Sequence, residues 1–274
     1  MKTINLLVTC DENYISPLNV MLMSVISSNP NVFFNVYLLH ECIDEQRMAT
    51  TRKLLGSNGK LIMIQINEKQ MVHAPITQRY PKEMYYRIFA SKYLPDTLDK
   101  VLYLDPDIVV INSLENLYDI RLEDDYYAAA SHTGELLTEF NRVRLDMEEG
   151  APYINSGVLL MNLQLLRKEQ NYEEIYSAIE TLKSRLILPD QDIISSLYGS
   201  KIMELDPSIY NMTERLYQKR ILFEKDYDLN RVQSETVIVH YIGKNKPWRG
   251  KYQGELNVFY NEAVKLLEEK SFEL

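Results

Sequence analysis

Apolar and polar positions follow two alternating rhythms along the first hundred residues. Ile4 to Val8 is a short apolar run that stops at Asp11-Glu12-Asn13-Tyr14, and from Pro17 onward Leu18, Met21, Leu22, Val25 and Ile26 fall on one helical stripe. This predicts a strand, a polar loop and a helix. The alternation continues with strands at Phe33 to Leu39 and Leu61 to Ile66, helices at Asp44 to Leu55 and Pro81 to Tyr93, and a fourth strand at Lys100 to Leu104. Strands alternating with helices predict a mostly parallel sheet covered on both faces. Ligands of such sheets collect beyond the carboxyl ends of the strands, so polar residues that follow strands are the first candidates for chemistry.

The second half is less regular. Strands are expected at Tyr126 to Ala130, Val158 to Met161 and Thr236 to Tyr241, and helices at Tyr172 to Arg185 and Asp190 to Tyr198, which reads as α/β with added antiparallel strands. Leu256 to Leu274 is amphipathic, with Phe259, Ala263, Val264 and Leu267 as its apolar stripe. No repeat or Gly/Ser linker interrupts the chain, so one continuous domain over residues 1–274 is expected, with 255–274 as a terminal helical segment. Asn67 to Lys82, His132 to Gly150 and Pro207 to Arg231 are the candidate lids.

Composition narrows the classes. The 274 residues carry a formal charge of −9, the wrong sign for a protein that coats nucleic-acid phosphates over a broad face. Cys10 and Cys42 form no C-x-x-C pair and no disulfide framework, which fits a reducing cytoplasm. No apolar run reaches membrane-spanning length. Leu7-Val8-Thr9-Cys10 has the outline of a lipoprotein cleavage box, but the stretch before it is too short for a secretory leader, and a buried first strand is the better reading. None of the 9 glycines makes the G-x-G of a dinucleotide fingerprint, and no Gly-Lys pair completes a phosphate loop. His40-Glu41 lacks the second His of a zinc protease helix, and no G-x-S-x-G elbow occurs. Tyr is counted 20 times against 7 Phe, an excess that suits stacking on bases and sugars as well as half-buried strands.

The strongest local signal is Val101-Leu102-Tyr103-Leu104-Asp105-Pro106-Asp107-Ile108-Val109-Val110. Period-two alternation puts Asp105 and Asp107 on one side, and Pro106 cannot extend a central ladder, so the pair sits where the strand leaves its sheet. Two carboxylates held together repel unless a cation lies between them, and hard oxygen ligands favour a divalent metal with phosphate as co-ligand. The same three residues also read as a solvated turn.

With that motif in place, the sequence resembles the family 8 glycosyltransferases, retaining enzymes that include bacterial lipopolysaccharide galactosyl- and glucosyltransferases and, more distantly, the glycogenins. The matching segments occur in order: Thr9-Cys10-Asp11-Glu12-Asn13-Tyr14, Tyr86-Arg87, Asp105-Pro106-Asp107, Tyr153-Ile154-Asn155-Ser156-Gly157-Val158, Pro189-Asp190-Gln191-Asp192, and His240-Tyr241-Ile242-Gly243-Lys244-Asn245-Lys246-Pro247-Trp248. They span nearly the whole chain. The resemblance implies a GT-A fold, a Rossmann-like, mostly parallel sheet with added antiparallel strands. It also implies transfer of galactose or glucose from a UDP-sugar to a glycan acceptor in lipopolysaccharide or other surface-polysaccharide synthesis.

The resemblance further assigns Asp105, Asp107 and His240 to a metal, Mn²⁺ with Mg²⁺ as the alternative; two carboxylates and an imidazole suit Mn²⁺, which tolerates nitrogen better than Mg²⁺ does. It places the uridine on the Thr9 to Tyr14 segment, where Asp11 can accept the uracil imide hydrogen, Asn13 can bond to ribose and Tyr14 can stack on the base. An ordinary N-cap cluster is the other reading of Asp11 and Asn13, and both can be true of different atoms in the same turn. Gly243 and Lys246 lie in a stretch with four basic residues and no acid between Lys244 and Lys251, and the resemblance puts Lys246 on the diphosphate. Arg87, Asn155, Ser156, Asp190 and Gln191 resemble donor-sugar contacts. Taken one at a time they read as a surface charge, turn residues and a helix-capping pair.

Breaking the bond from the anomeric carbon to phosphate releases a weak base, so the pattern needs no protonated carboxylic acid of the glycosidase kind. The resemblance implies retention of configuration, with Gln191 near the anomeric carbon. Front-face attack is the favoured route, because Gln191 is a poor nucleophile, and Asp190 as a covalent nucleophile stays open. From Glu255 onward five Glu and two Lys leave a net −3, which argues against docking on an anionic bilayer. The expected location is the cytoplasm, at most peripheral at the inner face of the membrane. A non-catalytic nucleotide-sugar or glycan-binding module is the main competing class, and a sugar nucleotidyltransferase is a third.

Overall fold

The computed structural model describes residues 1–66 and 82–273. Among the described residues nine strands run in chain order: β1 (Lys2–Thr9), β2 (Val32–His40), β3 (Gly59–Gln65), β4 (Lys100–Leu104), β5 (Ile108–Val110), β6 (Tyr127–Ala130), β7 (Val158–Asn162), β8 (Ile202–Leu205) and β9 (Ile238–His240). Seven of them form one sheet in the order β3-β2-β1-β4-β7-β6-β8, and β5 pairs with β9 in a separate two-stranded sheet. β1, β2, β3 and β4 are mutually parallel, and β7 alone runs antiparallel to both of its neighbours. The fold is α/β with a mostly parallel sheet, as expected.

Both faces of the large sheet are buried. Along β1, Ile4, Leu6 and Val8 join one apolar cluster while Leu7 joins the other; along β4, Leu102 and Leu104 divide from Val101 and Tyr103 in the same way. This period-two division between two dry faces explains why these strands read as continuous apolar runs. Helix Ile15–Ser28 covers the first face, and helices Leu163–Glu169, Tyr172–Leu182 and Pro189–Tyr198 cover the second. The terminal helix Asn257–Glu273 packs through Phe259 and Ala263 onto a third cluster that includes Val20 and Val109. Its apolar stripe therefore faces protein. No helix among the described residues is long and apolar enough to cross a membrane.

Several expectations change. The segment expected as a helix from Pro81 is a 3-10 helix over Lys82–Phe89 followed by a short α-helix, Ala90–Tyr93. Asp44 to Leu55 begins as a 3-10 turn, Glu45–Met48, and becomes α-helical at Ala49–Leu55. Two of the candidate lids contain regular structure: Glu135–Leu145 is a helix, and Pro207–Tyr210, Glu214–Phe223 and Leu229–Glu235 are three more. Asn67 to Pro81 of the remaining lid lies outside the described residues.

Candidate active site

The strand order reverses between β1 and β4, and the candidate residues gather at the carboxyl edge of these two strands, where an open α/β sheet leaves a crevice. Because β7 runs the opposite way, the residues that precede it arrive at that same edge. The Asp105 amide donates to the Gly157 carbonyl at 2.8 Å, which ties the end of β4 to the start of β7. At Pro106 the chain leaves the large sheet and enters the small one as β5. Ile108 then pairs with His240, and the Tyr241 amide donates to the Asp107 carbonyl at 3.0 Å, so β9 delivers His240 next to Asp107.

Asp105, Asp107 and His240 have ligand atoms within 4.8 Å of one another, and among the described residues no other group of three or more His, Cys, Asp or Glu side chains is so placed. His240 Nε2 stands 3.1 Å from Asp107 Oδ1 and 3.8 Å from Asp105 Oδ2. Gly157 forms the wall. A Cβ there would lie 2.3 Å from His240 Cε1 and 2.8 Å from Asp105 Oδ2, so only glycine leaves room for both ligands. Two carboxylates and one imidazole, largely buried behind this wall, fit a divalent ion that accepts oxygen and nitrogen donors.

Lys246 is buried, and its ammonium is hydrogen-bonded to Asp107 Oδ2 and, at 2.7 Å, to the Tyr241 carbonyl. Burial by itself would raise the pKa of the Asp107 carboxyl, but Lys246 and His240 override it and hold the group below the usual carboxylate range. Arg87 is the second buried cation. Its guanidinium meets Asp105 Oδ1 at 3.0 Å, Asp190 Oδ2 at 3.1 Å and the Ser156 carbonyl at 3.0 Å, and lies 4.3 Å from the centre of the Tyr103 ring. Burial works against its charge, yet Asp105, Tyr103 and Asp190 together raise its pKa, so Arg87 stays protonated. For Asp190 burial dominates: its pKa is raised, although Arg87 and the Ser156 hydroxyl, at 2.7 Å, support the anion.

Asn155 takes the Gly157 amide proton on Oδ1 at 3.1 Å and reaches Gln191 Oε1 with Nδ2 at 3.3 Å. Arg87, Asp105, Asp107, Ser156, Asp190, His240 and Lys246 thus form one connected polar cluster, with Pro106 buried between its two acids, and the Asn155–Gln191 pair joins it through Asn211, whose carboxamide bridges Asn155 Oδ1 and His240 Nδ1. The remaining candidates lie at its border. Thr9 is buried behind the site, with its hydroxyl 3.1 Å from Tyr103 OH, which in turn donates to Asp105. Asp11 caps the turn Glu12–Tyr14 and accepts both the backbone and the side-chain N–H of Asn13, so the capping reading holds for this pair. Tyr14 packs edge-to-face on Trp248 at 5.8 Å. Gly243 has φ +88° and open space around it, a backbone conformation that favours glycine.

Asp192 has a structural role that its motif did not reveal. It is fully buried and accepts from both ends of the Arg144 guanidinium at 2.8 and 2.9 Å, from Tyr153 OH at 2.6 Å, and from the Ile187 and Leu188 amides. It fastens the start of the helix that carries Asp190 and Gln191. Two residues outside the expected set also touch the cluster, Tyr103 and Asn211. A strand-internal Tyr two positions before Asp105 was a legible signal for the first; Asn211 belongs to no recognisable pattern. Beside His240 lies a cavity of about 340 Å³ lined by Glu214, Arg215, Gln218, Tyr241, Ile242 and Tyr252.

Comparison with known proteins gives the family and the fold. The sequence profile of Glycosyl transferase family 8 matches residues 5–251. A lipopolysaccharide 1,2-glucosyltransferase of Escherichia coli is 27% identical over 255 residues, covering 90% of this chain and 74% of that protein. A lipopolysaccharide 1,3-galactosyltransferase of Salmonella typhimurium is 29% identical over 248 residues, covering 87% and 71%. The crystal structure of the galactosyltransferase LgtC, in complex with donor and acceptor sugar analogues, superimposes with a TM-score of 0.81 at 26% identity, covering 97% of this chain and 96% of that one.

Proposed function

This chain belongs to glycosyl transferase family 8, and on that premise we propose that it transfers galactose or glucose from a UDP-sugar to a glycan acceptor, with retention of configuration and with Mn²⁺ as its metal. The observation that carries this reading is the cluster itself, in which a carboxylate–carboxylate–imidazole set is bonded to the Arg87–Asp190 pair directly and to the Asn155–Gln191 pair through Asn211, at the carboxyl edge of the sheet. The relatives named as lipopolysaccharide glucosyl- and galactosyltransferases support a hexose donor and a surface-glycan acceptor. A cytoplasmic location follows from the same reading.

Asp105, Asp107 and His240 would hold the ion. When bound there, a divalent metal supplies Lewis-acid stabilisation of the negative charge that develops on the leaving diphosphate. Lys246 adds a fixed, largely desolvated positive charge beside the same oxygens, and Gly243 allows the backbone to approach the phosphates. Asp11, Asn13 and Tyr14 hold the uridine, with Thr9 supporting that strand end from behind. Arg87 and Asp190 orient the sugar hydroxyls, Ser156 positions Asp190, and Asn155 bonds to sugar and phosphate. Gln191 sits beneath the anomeric carbon and presents a weakly nucleophilic amide oxygen. The occupied Oδ2 of Asp190, bonded to Arg87 and Ser156, favours an orienting role over a nucleophilic one, so attack from the leaving-group face is the proposed route.

A panel of UDP-hexoses incubated with Mn²⁺ and no acceptor tests the reading, since slow hydrolysis needs only the donor site. Release of UDP from UDP-galactose or UDP-glucose is expected. Full activity in excess chelator overturns the metal assignment, and tight UDP-sugar binding without turnover across a broad acceptor panel supports a binding module instead.

A further inference from the structure

Asn211 has no solvent exposure, and both ends of its carboxamide are engaged: Oδ1 lies 2.9 Å from His240 Nδ1, and Nδ2 lies 2.9 Å from Asn155 Oδ1. The direction of every bond in this chain is fixed from one end. The Gly157 backbone N–H can only donate, so the Asn155 atom that it meets is the acceptor Oδ1. The Asn211 atom facing that same oxygen must then be the donor Nδ2, which leaves Oδ1 facing His240. His240 Nδ1 must therefore carry a proton. Its Nε2 is consequently the atom turned toward Asp107 and Asp105 at 3.1 and 3.8 Å.

We propose that Asn211 is a positioning residue for His240: it accepts from the imidazole Nδ1–H and so aims Nε2 at the cation site between the two aspartates, where a bound cation would take the Nε2 lone pair. Histidine ligands need such a partner on the other ring nitrogen, which fixes ring orientation and raises ligand basicity. Asn211 is itself anchored. Its amide donates to the Pro207 carbonyl at 3.1 Å, its carbonyl accepts from His132 Nε2 at 2.7 Å, and the next residue, Met212, bridges to Val239 within the small sheet. Through Asn155 the same side chain connects His240 to Gln191, so one carboxamide links the cation site to the residue proposed beneath the anomeric carbon. The inference deepens the proposed metal site and rests on that reading for its purpose, though the bond from His240 Nδ1 to Asn211 is present without the metal.

The test compares wild type, Asn211→Leu and Asn211→Asp by two readouts. In ¹⁵N-histidine-labelled, metal-free protein, a hydrogen-bonded, slowly exchanging proton on His240 Nδ1 is expected in wild type and in Asn211→Asp, which keeps an acceptor, and that protection should be lost in Asn211→Leu. Mn²⁺ affinity, read from the electron paramagnetic resonance signal of free Mn²⁺, should fall about 10–100-fold in Asn211→Leu and stay within about threefold in Asn211→Asp. A wild-type His240 with no proton on Nδ1, or an Asn211→Leu protein that keeps both the protected Nδ1 proton and the affinity, overturns the proposal. Should Asn211→Leu fail to fold, the wild-type Nδ1 proton and the rescue in Asn211→Asp still decide it. Wild-type protein that shows the protected Nδ1 proton but binds no Mn²⁺ overturns the metal reading and the positioning role drawn from it, and leaves only the hydrogen-bond direction standing.

Discussion

Replacing Gly157 by alanine probes the cation site through a single methyl group. The added Cβ falls 2.3 Å from His240 Cε1, 2.8 Å from Asp105 Oδ2 and 3.0 Å from His240 Nε2. Ordinary carbon–carbon contact begins near ~3.5 Å, so the ring or the backbone must yield by roughly 1 Å. The ring has little freedom to do so. It is 3% exposed, its Nδ1 is bonded to Asn211, and its own amide donates to the Met212 carbonyl. The Gly157 carbonyl is likewise held by the Asp105 amide. Overpacking of this kind costs about 1–3 kcal/mol, and each kcal/mol lowers the Tm of a chain of this size by about 2–4 °C. A ligand set tolerates errors of only about 0.2 Å, so a shift of this size should remove His240 or Asp105 from coordination. Calorimetric unfolding and Mn²⁺ titration of Gly157→Ala should therefore show a lower Tm together with a loss of Mn²⁺ affinity of at least about tenfold. Wild-type Tm and wild-type affinity in this variant would refute the steric argument and, with it, the packing described around His240.

Further outcomes follow from the buried charges. The folded Asp107 carboxyl sits below its unfolded value, so the native state binds fewer protons; this stability is present above about pH 4 and is lost as the pH falls further. Lys246→Met should shrink that acid-limb loss in urea unfolding and weaken the protein at neutral pH, and an unchanged acid limb would contradict the pairing. Burial lowers the His132 pKa to about 4, so between pH 6.5 and 4 the unfolded chain takes up a proton that the folded residue refuses. About 3 kcal/mol should be lost across that window, a slope absent from His132→Gln, and equal slopes in the two proteins would count against it. Asp192→Ala strands the Arg144 guanidinium and removes the anchor of helix Pro189–Tyr198; a loss of about 3–5 kcal/mol in chemical denaturation is expected, and a loss under 1 kcal/mol would show that the network is dispensable.

The parts of the fold legible in the sequence are those where one physical constraint dominates. β1, β2 and β4 are buried on both faces and spell apolar runs, and helix Ile15–Ser28 shows its stripe. β5 and β8 span only 3 and 4 residues, too short for periodicity to speak. Helix Glu135–Leu145 escaped for a different reason: Leu136, Phe140 and Val143 are exposed, so its apolar residues do not mark a core-facing side. Over Lys82–Phe89 a helix was legible but its 3-10 form was not, because so short a stretch does not separate a period of 3.0 from one of 3.6. At the site, Asp105 and Asp107 were legible from alternation ended by a proline, whereas His240 was singled out only by the family resemblance, since a histidine after an apolar run reads more readily as a core residue. Lys246, which the resemblance puts on the diphosphate, stands beside Asp107 in the cluster. Asn211 was invisible because its role depends on the approach of three separate segments, which nothing in the local pattern of Ile209-Tyr210-Asn211-Met212 encodes.

Release of UDP from a UDP-hexose, measured with Mn²⁺, with excess chelator and with Asp107→Ala, tests the central claim most directly. Hydrolysis that requires the metal and disappears in Asp107→Ala, in a variant still folded by circular dichroism, is the predicted result. Equal rates in all three conditions would contradict it.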